Sequence, residues 1–261
     1  MYFNHISIIF YLIIMAVGML VGNITAWCHF CYLHERKIIS KDFFRKDLFE
    51  VKYTYILMIV TSLIYAGILY RVGWETDSNF IFSIFKNLDL FKYLLLIPLL
   101  TLCFLIDLKK RIIPNRLTLT IFELGLFLTF IYGLYNINVA KDLLLGCIVG
   151  GAIFGAITLL GRLIAGKETM GMGDVKLIST LGLLFGVSNI IQISLLAFVI
   201  AALSSIVILI IRSIKKKDDK YVSFGPFIVI AVVVCMLVPK NLILNTFIYI
   251  CTAISKAILK K

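Results

Sequence analysis

Long uninterrupted apolar runs constrain this chain more than any other feature. Hydrophobic residues make up 61% of its 261 positions. Several runs reach the roughly 20 helical residues that a hydrocarbon core requires. Inside a bilayer every backbone polar group must be satisfied within the protein, which leaves helices and closed barrels. Barrel strands read as short alternating segments. The runs here are continuous, so the expected fold is all-α, a polytopic transmembrane helical bundle. Charged residues are only 15% of the chain, against about 25% in a soluble domain.

About eight spans are expected, at 6–28, 53–71, 88–106, 117–135, 143–161, 174–187, 189–211 and 224–239. The first lacks a basic n-region and a small-residue cleavage site, so it is read as a membrane helix and not as a signal peptide. The sixth is short and glycine-rich, which suggests a tilted or broken helix. A further apolar stretch, 241–258, is either a ninth span or an interfacial helix. In the fifth span, "GCIVGGAIFGAITLLG" sets Gly146/Gly150 and Gly151/Gly155 four residues apart. Such small-residue pairs let membrane helices approach closely.

The net charge of +12 does not require nucleic acid as a partner. Eighteen basic residues fall in or at the edges of the odd-numbered loops and four in or at the edges of the even ones. By the positive-inside rule the odd loops are cytoplasmic and the N-terminus lies outside. Cys103, Cys147, Cys235 and Cys251 sit within apolar runs. Cysteines in such runs act as small core hydrophobes.

Two acids then lie at the cytoplasmic edge. Asp107 ends the third span in "LCFLIDLKKRIIPNRLT". Pro114 fixes the backbone after it, and Asn115 is expected to cap the fourth span. Asp174 stands in "TMGMGDVKL", beside Gly171 and Gly173. Those glycines leave the backbone open for a substrate strand. An acid at a helix N-terminus is also electrostatically favoured. Two convergent carboxylates do not both ionise readily, so one keeps a proton. The ionised one can then activate water while the other polarises a carbonyl. Glu123, inside the fourth span, is a candidate for a substrate groove, because intramembrane acids are functional candidates by default. Asp142 is expected to cap the fifth span.

These residues resemble the type IV prepilin peptidases, a branch of the G-x-G-D aspartyl proteases. "DLKKRIIPN" is similar to the family's first-aspartate motif, with Asp107 seven residues before Pro114. "GMGDVKL", with Lys176, is similar to the second, and "FGPFIVI", with Pro226, to the start of the last helix. The resemblance covers roughly residues 90 to 240. It implies a single membrane domain over 1–261, with a first span and shortened cytoplasmic loop (1–52), a protease core (88–239) and an extra C-terminal apolar segment (241–261). It also implies an aspartic endopeptidase in the bacterial plasma membrane that removes leaders from prepilin-like precursors. Asp107 and Asp174 would be catalytic, with Gly171 and Gly173 lining the substrate.

The chain departs from the family at its front. Many members also N-methylate the product with S-adenosylmethionine, and their long first loop holds two C-x-x-C pairs that bind zinc. Here only Cys28 and Cys31 form such a pair, with His29 and His34 nearby. Four ligands suit structural zinc, and no second pair exists. Neither a cofactor nor a metal is therefore expected, and methyl transfer is not among the expectations. Two other readings were open: a proton-coupled transporter with a carboxylate relay, and a non-enzymatic scaffold for pilus assembly.

Overall fold

Continuous apolar sequence gives continuous helix. A computed structural model describes residues 2–3, 6–34, 53–74, 80–166, 170–215, 223–238 and 252. A two-residue antiparallel pairing, β1 (Tyr2–Phe3) with β2 (Ile6–Ser7), precedes seven helices. These are α1 (Ile8–Leu33), α2 (Thr54–Val72), α3 (Phe80–Lys110), α4 (Asn115–Tyr135), α5 (Ile137–Ala165), α6 (Met172–Lys215) and α7 (Gly225–Leu237). Among the described residues, α1 to α6 each hold a stretch long and apolar enough to cross a membrane, and α7 is a shorter apolar helix. The fold is an all-α polytopic bundle, as expected. The basic loop at 35–52 and the stretch 241–258, apart from residue 252, lie outside the described residues. By packing, the chain falls into two compact units, Met1–Arg111 and Ile112–Lys261.

In the first unit, α1 and α2 meet through two glycines. A Cβ on Gly18 would stand 2.8 Å from the Ser62 Cα, and one on Gly22 would stand 2.7 Å from the Met58 Cα. Thr61 Oγ1 lies 2.8 Å from the Gly18 carbonyl across the interface and 2.8 Å from the Leu57 carbonyl in its own helix. The spacing Gly18/Gly22 is the same small-residue pattern expected of the fifth span, and it was not singled out from the sequence. The Tyr65 hydroxyl donates to the Leu94 carbonyl at 2.7 Å, tying α2 to α3. At 31 residues, α3 is about 46 Å long. It outruns the roughly 30 Å hydrocarbon core, and its last turn carries Asp107 and two lysines.

The second unit is organised by a reversal inside α6. Gly186 breaks the helical backbone there with φ 76° and ψ 176°. Gly146 of α5 packs on both Gly182 and Gly186. One turn further along α5, a Cβ on Gly150 would lie 3.1 Å from the Ile178 side chain and 3.2 Å from that of Ile190. A straight helix would hold those two isoleucines about 18 Å apart. The next turn of α5 brings Phe154 to Phe198, with ring centroids 5.3 Å apart. Thus α6 runs antiparallel to α5 up to residue 185, turns at Gly186, and returns parallel to it. The separate spans expected at 174–187 and 189–211 are the two arms of this hairpin.

Two side chains finish the turn. The Asn189 amide donates to the Phe185 carbonyl at 2.6 Å, satisfying an acceptor that the break leaves open. The Asp142 carboxylate lies directly over Gly186. Asp142 is therefore not the cap of α5. That place is taken by Asn136, whose side chain accepts from the Asn138 amide at 3.0 Å. The helix simply starts one and a half turns earlier than its apolar run. The remaining contacts place α4 alongside the first arm, with Gly125 against the Leu183 side chain and Thr129 against its carbonyl.

Candidate active site

The reversal at Gly186 brings five helix ends to one end of the second unit. These are the start of α4, the end of α5, both ends of α6 and the start of α7. Phe224 marks the last of them, packing on Phe154 at 5.9 Å and on Phe198 at 5.3 Å between ring centroids. Pro226 occupies the first turn of α7. An imino acid suits that place, because the amide it lacks would find no helical partner.

Asp174 stands in the first turn of α6, as the glycine-flanked motif suggested, and is buried with 8% of its surface exposed. Its amide donates to the Gly171 carbonyl at 3.0 Å, a turn that folds the side chain back over the glycines. The two glycines do different work. Gly171 is exposed, and a Cβ there would meet only the Asp174 Oδ2, at 3.5 Å. Gly173 is filled by another residue: a Cβ there would lie 3.2 Å from the Ile113 Cβ. The open backbone expected at both positions is thus found at Gly171, while Gly173 makes room for packing.

Ile113 belongs to the first-aspartate motif, and so does the next contact. Lys176 Nζ donates to Asn115 Oδ1 at 3.0 Å. The two motifs, some sixty residues apart in sequence, are therefore joined at 113/173 and at 115/176. Asn115 was expected to cap α4. Instead the helix is entered from Pro114, held extended at φ −65° and ψ 130°, with no side-chain cap. The Asn115 side chain is committed to Lys176. Ile113 and Asn115 were not read as site residues; their place beside Pro114 was the available signal.

In the first unit, Asp107 lies in the last turn of α3 and is 2% exposed. The helix closes at Arg111, which takes a left-handed φ of 56° and donates its amide to the Asp107 carbonyl at 2.9 Å. Left-handed backbone is uncommon outside glycine. Two aromatic rings gather the neighbouring lysines: Lys109 Nζ is 5.9 Å from the Tyr53 ring centroid and Lys110 Nζ is 4.7 Å from that of Tyr32. Such contacts hold a cation to one side of the helix end.

Glu123 is exposed on α4. The buried face of that helix runs through Thr118, Ile121, Gly125 and Leu128, so Glu123 points away from the core of its unit. Cys28 and Cys31 both lie on α1, Cys31 fully buried. Among the described residues no three His, Cys, Asp or Glu side chains gather to hold a metal ion.

Residues 94–206 match the type IV leader peptidase family. Curated relatives include the "Prepilin leader peptidase/N-methyltransferase" of Aeromonas hydrophila, 30% identical over 48% of this chain and 42% of the relative. The protein of that name from Xanthomonas campestris pv. campestris is 33% identical over 49% and 45%. That from Pectobacterium carotovorum subsp. carotovorum is 30% identical over 52% and 47%. The chain thus spans less than half the length of these relatives. No solved structure matches it significantly. The matched segment carries Asp107, Asp174 and the joined ends of both motifs, and over that stretch the chain is similar to the type IV leader peptidase family.

Proposed function

We propose that this chain is an aspartic endopeptidase that removes the leader from type IV prepilin-like precursors at the cytoplasmic face of the bacterial plasma membrane. The observation that carries the reading is the joining of the two motifs at Ile113–Gly173 and Asn115–Lys176, each beside a buried aspartate. Ile113 follows Asp107 with only five residues between them, so the contact at Gly173 falls within the first-aspartate motif.

In the proposed reaction Asp107 and Asp174 share one proton, because two close carboxylates cannot both ionise easily. The ionised member takes a proton from water as the water oxygen attacks the scissile carbonyl. The protonated member donates a hydrogen bond to that carbonyl oxygen. As the tetrahedral intermediate collapses, the C–N bond breaks and the departing amine receives a proton from the dyad. The open backbone at Gly171 would offer hydrogen bonds to an extended substrate strand, and Glu123, exposed on α4, would meet substrate or headgroups.

The test is cleavage of a prepilin-like precursor by the purified chain in detergent, read by product mass. D107N and D174N should each lower kcat/KM by at least about 10²-fold, the scale of general acid–base catalysis. The wild-type profile should be bell-shaped in pH, since the dyad works only with one proton bound. Undiminished cleavage by either variant would refute the dyad. Proton-linked flux in vesicles with no peptide product would favour a transporter.

A further inference from the structure

Lys176 and Asn115 have a hydrogen bond and no assigned role. Lys176 follows Asp174 by two residues, about 200° around the helix, so it points away from the face that carries the acid. Its ammonium donates to Asn115 Oδ1 at 3.0 Å, and both side chains are exposed. An exposed pair of this kind contributes little to folding. Its position is more informative than its strength. Beside it, Ile113 fills the space over Gly173. One apolar and one polar contact therefore grip residues 113–115 from both sides of Pro114, whose ring stiffens the segment between them. Upstream, the only chain between this grip and Asp107 contains Arg111 in its left-handed conformation.

We propose that Lys176 and Asn115 are positioning residues, a clip that fixes where the chain leaving Asp107 is held against the first turn of α6. Their side chains are hydrogen-bonded to each other. They act through the segment 112–114, holding it against the first turn of α6. The inference rests on the proposed peptidase function and assigns a task to two residues of that site.

The experiment measures kcat, KM, melting temperature and pH profile for K176M, N115L, the double variant, K176R and N115D. Without the clip, kcat should fall about ten-fold, within the up to about 10²-fold cost of a 1 Å misplacement. KM and melting temperature should stay near wild type. The double variant should be no worse than either single one, because both remove the same contact. K176R keeps a donor and N115D keeps an acceptor, so both should retain most of the rate. Two results would overturn the clip. One is a normal N115L beside an impaired K176M with a shifted acid limb, which would mean that the lysine charge acts directly on Asp174. The other is a melting temperature that falls in step with kcat, which would mean a structural role only. If wild type cuts no precursor, the peptidase reading fails first. The clip is then read by hydrogen exchange of the amides in 112–118, expected to quicken in K176M and N115L and to stay slow in K176R. Equal exchange in all three would reject it.

Discussion

At the scale of single residues, the site depends on one glycine that is filled and another that is open. A side chain at position 173 would press on Ile113, whose Cβ is already 3.2 Å from the place a Gly173 Cβ would take. Ile113 is itself buried, so it has little room to withdraw. G173V is therefore expected to cost about 1–3 kcal/mol, the usual penalty for overpacking, read as a lower melting temperature together with lost cleavage. Adding I113A should restore part of both. G171A should behave differently, because its new methyl meets only a carboxylate oxygen at 3.5 Å. It should melt like wild type and reveal any substrate role as a raised KM. Equal melting losses in G171A and G173V would contradict this division.

At the scale of elements, α5 and the hairpin of α6 are joined by backbone touching backbone. A Cβ on Gly182 would collide with the Gly146 carbonyl, and the Ser179 hydroxyl donates to the Cys147 carbonyl at 3.0 Å beside it. Neither partner can retreat without moving a helix. G182V should lose more than about 4 kcal/mol, in the range reserved for broken cores, and little folded protein should be recovered. The contrast is Gly155, where a Cβ meets nothing within 4 Å; G155A should stay within about 0.5 kcal/mol of wild type. The Gly186 turn has its own test. Its φ of 76° with ψ near 180° is essentially a glycine conformation, costing other residues about 1–3 kcal/mol. G186A adds a methyl where the Asp142 carboxylate already sits. It should destabilise the unit, and D142G should relieve the steric part while leaving the backbone strain. Full recovery in the double variant would show that the backbone carries no strain there.

At the scale of the whole molecule, the sequence made the helical class and the approximate ends of the described apolar segments readable, because hydropathy and length alone decide them. The close approach of Gly146 and Gly150 was readable too, as a pattern of spacing. Its partners were not, since a glycine stripe does not say which helix it will meet. The caps were misplaced for a related reason. Asn136 begins α5 well before its apolar run, and the Asn115 side chain finds a cation across the unit in place of its own helix end. The acids were legible from their motifs. The grip between the motifs was not, because it depends on a three-dimensional contact sixty residues apart in sequence. The reversal at Gly186 predicts that Met172, exposed at the start of α6, and Lys215 at its end face the same compartment. Single cysteines at those sites, in a background freed of native thiols, should react with an impermeant reagent from one side only. Labelling from opposite sides would remove the hairpin. That turn also bears on how the chain is made. A one-residue bend has no slack, so the insertion machinery must accept both arms of α6 as a single package. A truncation or insertion that uncouples them would change the parity of crossings and turn everything downstream inside out.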